Sequence, residues 1–69
     1  MSATVIDPVA GRLRAARLTV RMSQTDLENR SGIPKARISR YENGHVIPSI
    51  PSLRLLAGAM EVTLGSLLD

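Results

Sequence analysis

Residues 23–44 read SQTDLENRSGIPKARISRYENG and contain two short helical patterns separated by a break. Ser23 followed three residues later by Asp26 is a capping-box pattern, which predicts the start of a helix. Gly32 predicts the end of that helix, because glycine adopts the left-handed conformation that closes helices without a steric penalty. A second stop signal at Gly44 ends the second pattern. The stretch therefore predicts a helix, a sharp turn and another helix.

The second pattern, predicted as a helix over about residues 34–42, has two different faces. Ile38 and Tyr41 share one face with Pro34 and are expected to be buried. The presented side is small and cationic and consists of Lys35, Ala36, Arg37 and Arg40. A helix with a cationic outer face that follows a tight turn is the arrangement that places a recognition helix in the major groove of DNA. We therefore predict a sequence-specific DNA-binding domain.

Three further helices and no strand are predicted outside this stretch. The first runs over about residues 8–19 behind an Asp7-Pro8 start signal, and Ser49 and Thr63 are expected to cap the other two. No run alternates apolar and polar residues for long enough to indicate a sheet. We predict a compact all-α domain of five helices. Its predicted core consists of Leu27, Ile38, Tyr41, Leu53, Leu56 and Met60.

Length and composition exclude several classes of protein. At 69 residues the chain has room for one domain, and we expect a flexible segment over 1–7 and the folded domain over 8–69. The chain has no cysteine and one histidine, His45, so we expect no disulfide and no metal site. No apolar run reaches the roughly 18 residues that a membrane span needs, and no signal-peptide pattern begins the chain. No nucleophile–base pair or glycine-rich phosphate loop appears, so we expect neither catalysis nor a cofactor.

The net charge of +3 is unevenly distributed along the chain. Eight of the nine basic residues lie between Arg12 and Arg40, where only Asp26 and Glu28 oppose them. A cationic half of this kind suits a surface that faces phosphates. Charge alone favours a merely solvated basic face, so the DNA-binding interpretation depends on the helix pattern.

The order of these features resembles the Cro and phage-repressor type of helix-turn-helix, the XRE-like group of bacterial and phage regulators. The resemblance spans about residues 8–68. Its most specific parts are MSQ at 22–24, Leu27, GI at 32–33, ISRYENG at 38–44, PS at 48–49 and the apolar stripe of the fourth helix up to Val62. It implies a lambda-repressor-like fold and a transcriptional regulator, most often a repressor. Such a regulator binds a near-palindromic site on double-stranded DNA as a homodimer, in the cytoplasm and nucleoid of a bacterial or phage-infected cell.

The resemblance also implies roles for individual residues. The base-reading positions are Lys35, Ala36 and Arg40. Gln24 and Asn43 match positions that contact phosphate, and Gln24 also matches one that braces the start of the recognition helix. Arg37 lies where it can reach phosphate or a base edge. Arg17 and Glu42 match a pair that ties the first helix to the end of the third. We add four cations as candidates for phosphate contacts, namely Arg12, Arg14, Arg21 and Arg30.

Three residues depart from the family pattern. Glu28 stands where alanine usually lies against the recognition helix, which puts the helix packing there in question. Pro34 replaces the usual Ser or Thr N-cap, and we expect this to cost one capping hydrogen bond, about 1 kcal/mol. Glu61 occupies the position of the glycine that normally ends the fourth helix. None of the three is a base-reading position.

Two other functions remain open on the sequence alone. One is an antitoxin that binds a toxin partner as well as its own operator. The other is a protein-interaction module that has lost DNA binding, although the cationic face of the third helix argues against it. For a homodimer, the candidate contact residues are the apolar Val46, Ile47, Leu64 and Leu68.

Overall fold

The computed structural model describes residues 8–68, and over these residues it contains five helices and no strand. The helices are α1 (Pro8–Thr19), α2 (Gln24–Ser31), α3 (Lys35–Glu42), α4 (Ile50–Met60) and α5 (Leu64–Leu68). The predicted all-α, five-helix fold is confirmed. The predicted flexible segment at residues 1–7 lies outside the described residues, as does residue 69. None of the described helices is long and apolar enough to cross a membrane.

Side-chain caps begin three of the helices, as predicted. The Oγ of Ser23 accepts from the Asp26 N–H at 2.9 Å, and Asp26 Oδ2 accepts from the Ser23 N–H at 2.9 Å. This reciprocal capping box satisfies two N–H groups that a helix start otherwise leaves without partners. The hydroxyls of Ser49 and Thr63 accept from the N–H three residues later, at 3.2 and 3.1 Å.

A left-handed residue follows four of the helices. Two of these residues are glycines, Gly32 with φ 78° and Gly44 with φ 75°. The other two are Arg21 after α1, with φ 59°, and Glu61 after α4, with φ 58°. The missing glycine at Glu61 therefore does not prevent the turn. It leaves a backbone strain of about 1 kcal/mol, because a Cβ is crowded in this conformation.

The core lies where the five helices meet. All six predicted core residues are buried, and Leu27, Ile38 and Leu56 are completely inaccessible. The structure adds four buried residues to the same cluster, namely Leu13, Ile33, Ala57 and Leu67. Helix α3 packs against both α1 and α2, α2 also packs against α4, and α5 packs against α1 and α4. This arrangement holds the inner face of α3 and leaves its outer face open.

Candidate nucleic-acid interface

The outer face of α3 is exposed, polar and cationic. Ile38 and Tyr41 turn inward and are 0% and 4% exposed, which sets the orientation of the helix. The side chains left on the outer face are the four of the predicted presented side, Lys35, Ala36, Arg37 and Arg40. Three cations and one methyl group thus share one surface, with no acidic residue on that face of α3. Such a surface can approach the edges of bases and the phosphates beside them.

The start of α3 is held from α2. The helix begins at Lys35, one residue later than predicted, because Pro34 keeps an extended backbone (ψ 139°) and acts as the N-cap. Pro34 makes no side-chain capping bond. Instead, Glu28 Oε2 accepts from the Lys35 N–H at 3.1 Å. Glu28, expected from the sequence to disturb the packing of the helices, therefore supplies an acceptor to the start of α3, which has no side-chain cap of its own.

The end of α3 is held from α1 and α2 through one carboxylate. Arg17 Nε and Nη2 donate to Glu42 Oε2 and Oε1 at 2.7 and 3.0 Å. Arg17 Nη1 also donates to the Met22 carbonyl at 2.8 Å, and Gln24 Nε2 donates to Glu42 Oε1 at 3.2 Å. The two charged side chains are 10% and 4% exposed. The structure thus brings together Arg17 and Glu42, and it adds Gln24 and the turn before α2 to the pair. Gln24 therefore bonds to the end of α3 and not, as the resemblance implies, to its start.

The bond with Glu42 stabilises the charged form of Arg17 in its buried position. It raises the pKa of Arg17 above its usual value, and this effect outweighs the opposing effect of burial. Removing the carboxylate would leave a guanidinium with little access to water, which is the costly way to break a buried pair. The network is therefore a rigid connection between the three helices.

The two predicted amide-bearing residues lie at opposite ends of the helix-turn-helix. Gln24 opens α2 and uses one amide hydrogen on Glu42, which leaves the other for an external acceptor. Asn43 follows α3, is exposed and donates from Nδ2 to the Ser39 carbonyl at 2.8 Å. Both side chains are oriented by neighbours rather than free to rotate.

The predicted phosphate-contacting arginines do not all lie beside α3. Arg12 Nη1 donates to the Leu68 carbonyl at 2.9 Å, which ties α1 to the end of α5. Arg21 and Arg30 line an open cavity together with Met60 and Glu61 at the end of α4. Arg14 and Arg37 are exposed. The structure thus shows a structural partner for Arg12 and leaves Arg14 and Arg37 directed to solvent.

A shallow groove lies between α3 and the loop that leads to α4. Arg37 and Arg40 line one side, and Val46 and Ile47 line the other. Ile47 is 74% exposed, the largest value among the bulky apolar side chains of the described residues. Tyr41 forms part of the groove but is buried, and its hydroxyl lies 3.5 Å from that of Ser52. Tyr41 is therefore a core residue, as predicted, and not a platform for stacking bases.

Comparison with known proteins identifies relatives for most of the described chain. The helix-turn-helix family model matches residues 13–67. The chain is 39% identical over 54 residues to a protein described as an uncharacterized HTH-type transcriptional regulator (y4dL) of Sinorhizobium fredii. That alignment covers 78% of this chain but 28% of the relative, so the chain spans less than a third of the relative's length.

Solved structures with the same architecture include restriction-modification controller proteins. One is the controller C.AhdI of Aeromonas hydrophila, with a TM-score of 0.86 and 25% identity, covering 94% of this chain and 98% of that one. Another is the wild-type controller C.Esp1396I, with a TM-score of 0.82 and 26% identity, covering 97% and 90%. The same controller has been solved as a tetramer in complex with its natural 35 base-pair operator. The chain in that complex is 24% identical to this one, with a TM-score of 0.79, and the match covers 99% of this chain and 100% of that one.

Proposed function

The chain belongs to the helix-turn-helix family, and from this premise we propose that it regulates transcription by sequence-specific binding to double-stranded DNA. The observation that carries the proposal is the exposed cationic face of α3, a helix that Glu28 holds at its start and Arg17 at its end. A rigidly mounted helix can present donors to base edges in one register, which sequence recognition requires. The regulator named among the relatives and the operator-bound controller support the same function.

In this proposal α3 lies in the major groove. Arg40 makes the bidentate contact to O6 and N7 of a guanine, and Lys35 reads a second guanine. Ala36 contacts a thymine methyl group. The residues assigned to phosphates or to flanking positions are Gln24, Arg37, Asn43 and Arg14, with Arg12, Arg21 and Arg30 in outlying positions.

We further propose that the chain binds as a homodimer to a near-palindromic site whose half-sites are roughly 34–36 Å apart. The operator-bound controller of similar fold is itself an oligomer. Among the residues suggested for the dimer contact, Val46, Ile47 and Leu68 are exposed, whereas Leu64 packs partly against the core. The family acts by binding, and we propose that this chain likewise regulates without a catalytic step, in the cytoplasm.

The test is selection of bound sites from a random duplex pool, with wild-type chain, Arg40→Ala and Arg54→Ala. Arg54 is the matched control, because it is an exposed arginine on α4 and not on α3. Arg40→Ala should weaken binding to the selected site by about 1–3 kcal/mol and relax base preference at one position in each half-site. Arg54→Ala should leave the motif unchanged.

Two results would change the proposal. A motif that survives Arg40→Ala would show that other residues read the bases. A wild-type chain that selects no motif even at low salt would favour the protein-interaction module over the regulator.

A further inference from the structure

The two departures from the family pattern within the helix-turn-helix meet at one point in the structure. Pro34, with φ −57° and ψ 139°, is the only one of the α2, α3 and α4 N-caps that makes no side-chain hydrogen bond; Ser23 and Ser49 each make one. Glu28 lies seven residues before Lys35 and reaches its N–H across the turn. The start of α3 thus has an acceptor from another helix in place of one from its own N-cap.

We infer that Glu28 is a positioning residue for base recognition, an inference that rests on the proposed function. Lys35 is both the first residue of α3 and a proposed base reader. A helix start whose N–H groups lack acceptors is prone to fray. A frayed start would leave the Lys35 and Ala36 side chains without a fixed position in the DNA groove. The bond to Glu28 fixes the start of α3 against α2.

The charge of Glu28 adds a second effect. A helix N-terminus carries a partial positive charge that attracts any phosphate, whatever the base sequence. The Glu28 carboxylate offsets that charge at the start of α3, since it accepts from the first N–H of the helix. Glu28 therefore favours the contacts that depend on base sequence, and it weakens the electrostatic attraction to phosphate, which does not depend on base sequence.

The inference is tested by the ratio of dissociation constants for a scrambled duplex and the selected site. Glu28→Ala removes both the acceptor and the charge, and the ratio should fall roughly five- to tenfold, the value of one hydrogen bond. Glu28→Gln keeps an acceptor oxygen, so it should retain most of the ratio while binding both duplexes more tightly at low salt. Glu61→Gln, which removes an exposed carboxylate after α4, should leave the ratio unchanged.

A readout without DNA tests the bond itself. In the wild-type chain, the backbone N–H of Lys35 should exchange with solvent deuterium more slowly than in Glu28→Ala, because the bond to Glu28 must break before exchange occurs. Glu28→Gln, which keeps an acceptor oxygen, should preserve most of this protection. A wild-type Lys35 N–H that exchanges as fast as an N–H in an unfolded peptide would overturn the inference even if Glu28→Ala failed to fold.

The outcomes separate this inference from the proposed function. If the wild-type chain selects a motif but Glu28→Ala weakens binding to both duplexes equally, Glu28 only stabilises the fold and the inference is wrong. If the wild-type chain shows no sequence preference, the proposed function fails and the inference fails with it.

Discussion

The turns at residues 20–23 and 60–63 are built on the same plan. In each turn, a left-handed residue other than glycine follows the helix: Arg21 after α1 and Glu61 after α4. A partly buried apolar residue follows, and then a hydroxyl side chain that caps the next helix. Four residues after each cap stands a completely buried leucine, Leu27 or Leu67.

The two turns differ in what they are connected to. The carbonyl of the apolar residue in the first turn, Met22, accepts from Arg17, which is also paired with Glu42 of α3. Among the described residues, no ion pair reaches the second turn. The local sequence thus forms each turn, whereas one buried arginine, Arg17, connects the first turn to α3.

The largest expected effect concerns the two buried leucines. Leu27→Ala should lower the free energy of unfolding by about 2–5 kcal/mol, which approaches the whole stability of so small a domain. Leu67→Ala should fall in the lower half of that range, because α5 is a five-residue helix at the edge of the core whose neighbours can relax. Urea denaturation followed by circular dichroism measures both. Equal losses would show that the two turns are energetically equivalent.

The next effect concerns the ion pair that distinguishes the turns. Glu42→Gln should cost about 2–4 kcal/mol, because it leaves the buried Arg17 without its counter-charge. Glu61→Gln, at the exposed second turn, should change stability by less than about 0.5 kcal/mol. Thermal unfolding of the two variants side by side provides the measurement. A negligible loss of stability in both variants would mean that the Arg17–Glu42 pair orients α3 without stabilising the fold.

A smaller effect, of opposite sign, concerns the left-handed residues. Arg21→Gly and Glu61→Gly should each stabilise the chain by about 0.5–1 kcal/mol, because glycine relieves the strain of a positive φ. The same variants test a proposed contact: if Arg21 touches phosphate, Arg21→Gly alone should also flatten the salt dependence of DNA binding. A loss of stability in either variant would show that the removed side chain makes contacts that outweigh the strain.

The smallest expected effect is a difference between the two turns in how their contribution to folding stability depends on pH. The hydrogen bond from the Ser23 backbone N–H lowers the pKa of Asp26 below its usual value, with a further contribution from the Ser23 hydroxyl. A carboxyl group whose pKa is lowered by folding stabilises the folded state above its unfolded pKa, near 3.9, and this contribution is lost as the pH falls through the folded value. The corresponding residue of the second turn, Ser66, does not titrate in this range.

The measurement is the free energy of unfolding between about pH 2 and pH 6 for wild type and Asp26→Asn. The wild-type advantage should be present at the upper end and shrink toward acid. Ser66→Ala should differ from wild type by the same amount at every pH. An Asp26→Asn difference that does not change with pH would show that the carboxylate charge is unimportant in the capping box.

The sequence by itself determined the helices, most of their ends and the faces they bury. Capping boxes, hydroxyl caps and left-handed glycines act within a few residues along the chain, so their signals survive without tertiary information. The core followed for a related reason, since residues such as Leu27 and Leu56 recur on one face of their helices. The outward face of α3 is simply the complement of its buried face.

The tertiary structure alone decided which polar groups meet across helices. The Arg17–Glu42 pair could be expected from the family resemblance, but the added bonds of Met22 and Gln24 could not. Nor could the sequence show that Arg12 bonds to the carbonyl of Leu68, 56 residues away. Such contacts depend on the distance and angle between packed helices, which a local sequence pattern does not specify.

Glu28 shows the same limit within the helix-turn-helix. The sequence identified Glu28 and Pro34 as two separate liabilities, one for packing and one for capping. Only the turn between α2 and α3 brings the carboxylate of the first within 3.1 Å of the N–H that follows the second. The start of α3 is therefore held by a contact between helices, because its own N-cap has no side chain that can accept a hydrogen bond.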